Sequence, residues 1–217
     1  FLNGGQWSED DQDWCWCLYN EDWYDLYGVD TSGGNGFTAG GSLSADEVNN
    51  ILSNVGSASQ VRQNIISSAL SQVGVLPYYF GGKPTSGGVP IMTNHGQAGS
   101  STSVADHVGR TTAGLDCFGF CQWAYWNATG SNILPEGSMC TTTSVFNSTT
   151  CGNLTRLSSA SELKPGDLGF QAGHVGIFAG VSSDGKLMWI HCNGSANTVS
   201  YASYNGFTRY YRLNGLD

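Results

Sequence analysis

Apolar positions recur along this chain in two rhythms, and the change from one to the other divides it. Between Ser44 and Gly74 the rhythm is helical. Ser44 followed three residues later by Glu47 has the form of a capping box, and SADEVNNILSNV reads as the helix behind it. A second helix begins near Ser59. Val61, Ile65, Ala69 and Val73 recur at four-residue steps with Ile66 and Leu70 alongside, one apolar stripe that Gly74 ends. Residues 116–128 predict a third helix containing Phe120, Trp123 and Ala124. After Pro165 the period falls to two. Strands are expected at 167–171, 174–179, 186–192, 198–204 and 208–213, separated by Gly, Asn and Asp turns. Helices first and an antiparallel sheet afterwards make the fold class α+β.

The remaining stretches are not periodic. Residues 1–30 form an acidic, aromatic-rich N-terminal arm: eight acids stand there with no base, interleaved with Trp and Tyr. Its aromatics are expected to pack on the main domain while its acids face water. Residues 31–43 hold five Gly and read as a linker, which places the main domain at 44–217. Residues 83–115 predict a long loop, with His95 and His107 as surface residues at a spacing that fits no metal motif. Residues 129–160 read as a second loop region. Cys140 and Cys151 would close a compact disulfide loop within it, worth roughly 3 kcal/mol.

Composition narrows the function. Eight Lys and Arg against 17 Asp and Glu leave a net charge of −9. Nucleic acid and anionic membrane surfaces are therefore not expected as partners, since both require clustered bases. No apolar run reaches the ~20 residues of a membrane span. Beginning at Phe1, with no initiator Met and no signal peptide, the chain reads as a mature form or a fragment. Seven Cys suggest up to three disulfides, and together with the abundant Gly, Ser, Thr and Asn and the low charge content they point to an exported or virion-borne protein.

The candidate chemistry centres on a thiol. Cys117 lies in GLDCFGFCQWAYW, where a loop becomes a helix, and the unpaired N–H groups at a helix start favour thiolate. His174 opens HVGIFAG and His191 sits in LMWIHCNG, on successive strands. Antiparallel pairing could set their imidazoles side by side, one to take the thiol proton and one to orient the first. Cys121, one turn beyond Cys117, reads as a packed thiol or as a structural partner of another Cys such as Cys192; a regulatory disulfide with Cys117 is the further option.

PYYFGGK (77–83), GLDCFGFCQWAYW (114–126), LKPGDLGF (163–170), HVGIFAG (174–180) and IHCNG (190–194) resemble, in order, the motifs of the NlpC/P60 family of bacterial cell-wall cysteine peptidases. The resemblance covers about residues 59–213. It implies a papain-like fold, with N-terminal helices packed on a five-to-six-stranded antiparallel sheet and long loop insertions. It places the nucleophile on Cys117, the base on His174 and the orienting residue on His191. Substrate contacts fall on Tyr78, whose hydroxyl would lie near the nucleophile, and on Asp116, which would meet a free amino group of the substrate. Phe118 stands where the family usually has Ser.

The implied activity is cleavage of peptidoglycan stem peptides between γ-D-glutamate and the diamino acid, for local wall opening, with no cofactor and no metal. The alternatives are a cysteine-histidine amidase cutting before L-Ala, and a non-catalytic wall-binding or virion module, the latter prompted by Phe118. The long 83–115 connection, with Gly109-Arg110-Thr111, is similar to that of relatives linked to conjugative elements and phages of Gram-positive bacteria. At −9 the chain gains no attraction to an anionic wall, so tethering to a larger wall-penetrating or virion assembly is expected.

Overall fold

The structure, a computed structural model, describes residues 43–78, 82–84, 114–134, 142–147 and 150–216. The arm at 1–30, the linker apart from its last residue, His95, His107 and Cys140 lie outside the described residues.

Helix α1 (Ala45–Val55) starts as the sequence predicts. Ser44 Oγ accepts from Glu47 N at 3.3 Å, and Glu47 Oε2 accepts from Ser44 N at 2.8 Å. These bonds satisfy two backbone donors that would otherwise be orphaned at the helix start. Helix α2 (Gln60–Leu70) buries Ile65, Ile66, Ala69 and Leu70, the predicted stripe, together with Arg62. Helix α3 (Cys117–Thr129) has a different character: every residue from Cys117 to Tyr125 is buried. A helix apolar on all sides must be enclosed, and α3 packs between α2 and the sheet. Asp116 caps its start, and Gly130, left-handed at φ 77°, ends it.

The sheet is antiparallel throughout, with strand order β1-β2-β7-β3-β4-β5-β6. Five strands coincide with those expected from the period-two pattern: β3 (Leu168–Gln171), β4 (His174–Val181), β5 (Leu187–Asn193), β6 (Thr198–Ser203) and β7 (Arg209–Leu213). The region read as loop at 129–160 adds a short helix α4 (Thr142–Asn147), the two-residue strand β1 (Thr150–Cys151) and β2 (Leu154–Arg156). The hairpin of β1 and β2 extends the sheet to seven strands by pairing β2 with β7.

Each strand presents alternate residues to opposite faces. Val175, Ile177, Ala179, Ile190, Cys192 and Val199 join the helices in the main core. The other face carries a separate aromatic cluster built on Phe178, Trp189 and Phe207, with Tyr204 and Tyr210 against it.

A buried ion group ties the layers together. Asp167, fully buried just before β3, accepts from Arg62 Nη1 at 3.0 Å. It also accepts from Arg212 Nε at 3.0 Å and Nη2 at 2.6 Å, and from the Lys164 amide at 2.9 Å. Arg62 reaches the Pro165 carbonyl at 2.7 Å, and the Tyr125 hydroxyl donates to the Gly166 carbonyl. One carboxylate thus links α2, β3 and β7.

Two thiol expectations need correction. Cys121 and Cys192 are not bonded to one another, and Cys117 and Cys121 form no disulfide; all three are thiols. Cys192 donates to the Leu115 carbonyl at 3.3 Å.

Candidate active site

The start of α3 meets the turn between β3 and β4. Gln171 pairs with His174 across a two-residue turn, Ala172-Gly173, in which Gly173 takes a left-handed φ of 82°. A side chain at that φ would be strained, so glycine suits the position. The turn brings the Gly173 carbonyl to the thiol: Cys117 Sγ donates to it at 3.9 Å. His174 is the residue after that carbonyl and opens β4.

His174 and His191 do lie side by side. His174 Nε2 and His191 Nδ1 are 2.8 Å apart in a buried hydrogen bond. Both residues are almost wholly inaccessible, at 4% and 1% exposure. The aromatic cluster holds them there. Phe207 stacks on His174 with centroids 5.5 Å apart, and Tyr204 lies 5.3 Å from His191. Tyr204 is itself held by its hydroxyl bond to Gln171 Oε1 at 2.7 Å. Gly176 makes room for this packing: a Cβ there would fall 2.7 Å from the Phe207 ring and 3.1 Å from His191 Cβ.

Burial and the neighbouring His174 together hold the His191 imidazole well below its ordinary value of 6.5. His191 is therefore neutral near pH 7. This has a consequence for stability. The unfolded chain protonates His191 near 6.5, whereas the folded chain resists until well below it. Between those values the unfolded state binds more protons, so stability rises with pH and is lost on acidification. Denaturant unfolding should show a loss of up to about 1.4 kcal/mol per pH unit below about pH 6.5. The slope should flatten in His191→Gln. A midpoint equally pH-dependent in both proteins would contradict this account.

The other predicted residues take the following places. Tyr78 forms a parallel bridge with Leu115, one residue before Asp116. Asp116 is 8% exposed and uses both carboxylate oxygens: Oδ1 accepts from Gly119 N at 2.6 Å, and Oδ2 pairs with Lys83 Nζ. Phe118 is 6% exposed and packs in the main core. Cys121 is fully buried, and desolvation, with Asp116 adding to it, pushes its thiol far above the ordinary range. Such a thiol is inert as a nucleophile, in keeping with the packed-thiol reading of the sequence. Among the described residues no group of three or more His, Cys, Asp or Glu could hold a metal ion.

The sequence motifs did not assign Lys83 or Asp167 a role. Lys83 closes PYYFGGK, and Asp167 lies inside LKPGDLGF. Their positions within those motifs were the available signal.

The family model for NlpC/P60 matches residues 74–215, more than half of the chain. This chain belongs to the NlpC/P60 family. The matched span starts just after α2 and includes Cys117, His174 and His191. Two solved structures are similar to this NlpC/P60 chain. One is the peptidoglycan hydrolase RipB from Mycobacterium tuberculosis, at 19% identity and a TM-score of 0.45, covering 94% of this chain and 81% of its own. The other is the NlpC/p60 domain of the peptidoglycan hydrolase SagA, at 23% identity and a TM-score of 0.41, covering 70% of this chain and 98% of its own. No curated protein matches the chain. Among the described residues no helix is long and apolar enough to cross a membrane.

Proposed function

We propose that this NlpC/P60 hydrolase is a cysteine endopeptidase of peptidoglycan that cuts stem peptides between γ-D-glutamate and the diamino acid. Cys117 is the nucleophile, His174 the base and His191 the orienting residue. The observation that carries the reading is the buried 2.8 Å bond between the two imidazoles, beside the turn that receives the Cys117 thiol. A histidine pair enclosed by Phe207 and Tyr204 is expensive to keep as packing alone, because buried imidazoles lose hydration.

The chemistry follows from the roles. His174 takes the thiol proton, and the thiolate attacks the carbonyl carbon of the scissile amide. The resulting imidazolium donates from Nε2 to Nδ1 of the neutral His191, which orients the ring and disperses its charge. The oxyanion meets the backbone N–H of Cys117 at the start of α3, where the helix dipole also favours negative charge. His174 then returns the proton to the departing amine. Water, deprotonated by the same imidazole, hydrolyses the thioester.

The test is mass spectrometry of the soluble products after digestion of purified wall sacculi. Fragments ending in γ-D-glutamate, with new amino groups on the diamino acid, are the expected result. Iodoacetamide should stop their release. New amino groups on L-Ala would instead indicate an amidase. No release from any of several wall types would overturn the enzymatic reading.

A further inference from the structure

Asp116 directly precedes Cys117, and its carboxylate is the acidic group that a cationic end of a substrate would meet at the nucleophile. In this structure both oxygens of that carboxylate are already engaged. Oδ1 holds the Gly119 amide as the cap of α3, and Oδ2 holds the ammonium of Lys83. The pairing is built into the backbone. Asp116 N donates to the Gly82 carbonyl at 3.1 Å, which fixes Lys83 against the start of α3. Gly119 permits the approach, since a Cβ there would collide with that same carbonyl oxygen. The Asp116 side chain is 11% exposed and the Lys83 side chain 48%, so the ammonium closes the solvent side of a nearly buried anion.

We propose that Lys83 is a specificity-determining residue that removes any selection for a free substrate amine. The protein then acts on stem peptides whose N-terminus is acylated, that is, still joined to the glycan. This rests on the hydrolase reading above. A free ammonium could reach Asp116 only by displacing Lys83, and one charge-assisted bond would replace another of the same kind. The exchange yields almost no net binding, and it leaves Lys83 to find a new partner. An acylated terminus carries no charge and requires no exchange. Specificity is a difference between two affinities, and here the term that would favour the free amine is cancelled inside the protein.

The experiment compares kcat/KM for a matched pair of substrates: a stem peptide with a free L-Ala amine, and the same peptide linked through that nitrogen to N-acetylmuramic acid. The wild-type protein should cut the sugar-linked form at least as fast as the free one. Lys83→Met should shift the ratio toward the free peptide by about tenfold, because Oδ2 is then open to an ammonium. Lys83→Arg should keep the wild-type ratio, and Lys83→Gln repeats the neutral arm should the Met variant fold poorly. A wild-type preference for the free amine of about tenfold or more, or an unchanged ratio in both neutral variants, would overturn the proposal. Failure of the wild-type protein to cut either peptide overturns the hydrolase reading and the inference with it, an outcome distinct from an unaltered ratio.

Discussion

Asp167→Ala is expected to destabilise the domain by about 3–5 kcal/mol, enough to leave it unfolded or barely folded at physiological temperature. The carboxylate is fully buried and receives four donors, three of them from guanidinium groups. Removing it leaves Arg62, 1% exposed, facing Arg212 with no anion between them. Like charges in a desolvated setting repel strongly, and the buried Arg62 has no easy route back to water. Arg212→Ala should cost less, because that side chain is 21% exposed and its pair is partly screened. Urea unfolding of the two variants measures the difference. A loss below about 1 kcal/mol for Asp167→Ala would show that the group adds nothing beyond ordinary hydrogen bonding.

Cys117→Ala should lower the rate of muropeptide cleavage by about 10⁴-fold or more while leaving the fold intact. The structural change is small. The thiol's bond to the Gly173 carbonyl is long, 3.9 Å, and the α3 cap rests on Asp116 rather than on Cys117. Alanine is also a good helix former. The effect therefore separates chemistry from stability: circular dichroism and the thermal midpoint should stay close to wild type as turnover vanishes. Residual activity within about a hundredfold of wild type would remove Cys117 from the nucleophile's role. Cys121→Ala is the matched control, since its thiol is buried and kept protonated.

Much of this architecture is legible in sequence because its elements have strong local periods. The stripe from Val61 to Val73 and the alternation after Pro165 state α2 and strands β3–β7 within three residues; α2 ends at Leu70, and Val73 instead bridges to Val199. The segment 142–156 does not, because its elements are too short to establish a rhythm; β1 has two residues and β2 three. The site divides in the same way. Cys117, His174 and His191 stand in recognisable local motifs. The Lys83–Asp116 pair spans 33 positions, and the Arg62–Asp167 pair spans 105. The motifs mark Lys83 and Asp167 one at a time, but nothing local tells which charges pair. The thiols are a related case: a count of Cys says nothing of which are buried in the core, as Cys121 and Cys192 are.

The anchoring of residues 84 and 114 has a consequence for how this protein can diverge. The chain leaves the described fold at Pro84 and re-enters it at Gly114, and the flanks are stitched together by Asp116 N to Gly82 O and Leu115 N to Pro77 O. These two bonds close the flanks into a stem. Doubling the length of such an excursion costs only about 0.6 kcal/mol of closure entropy. Descendants of this sequence are accordingly free to lengthen, trim or replace that excursion while the thiol and the imidazole pair stay where they are. Selection on its length is then separate from selection on the packed core that holds Cys117, His174 and His191 in place.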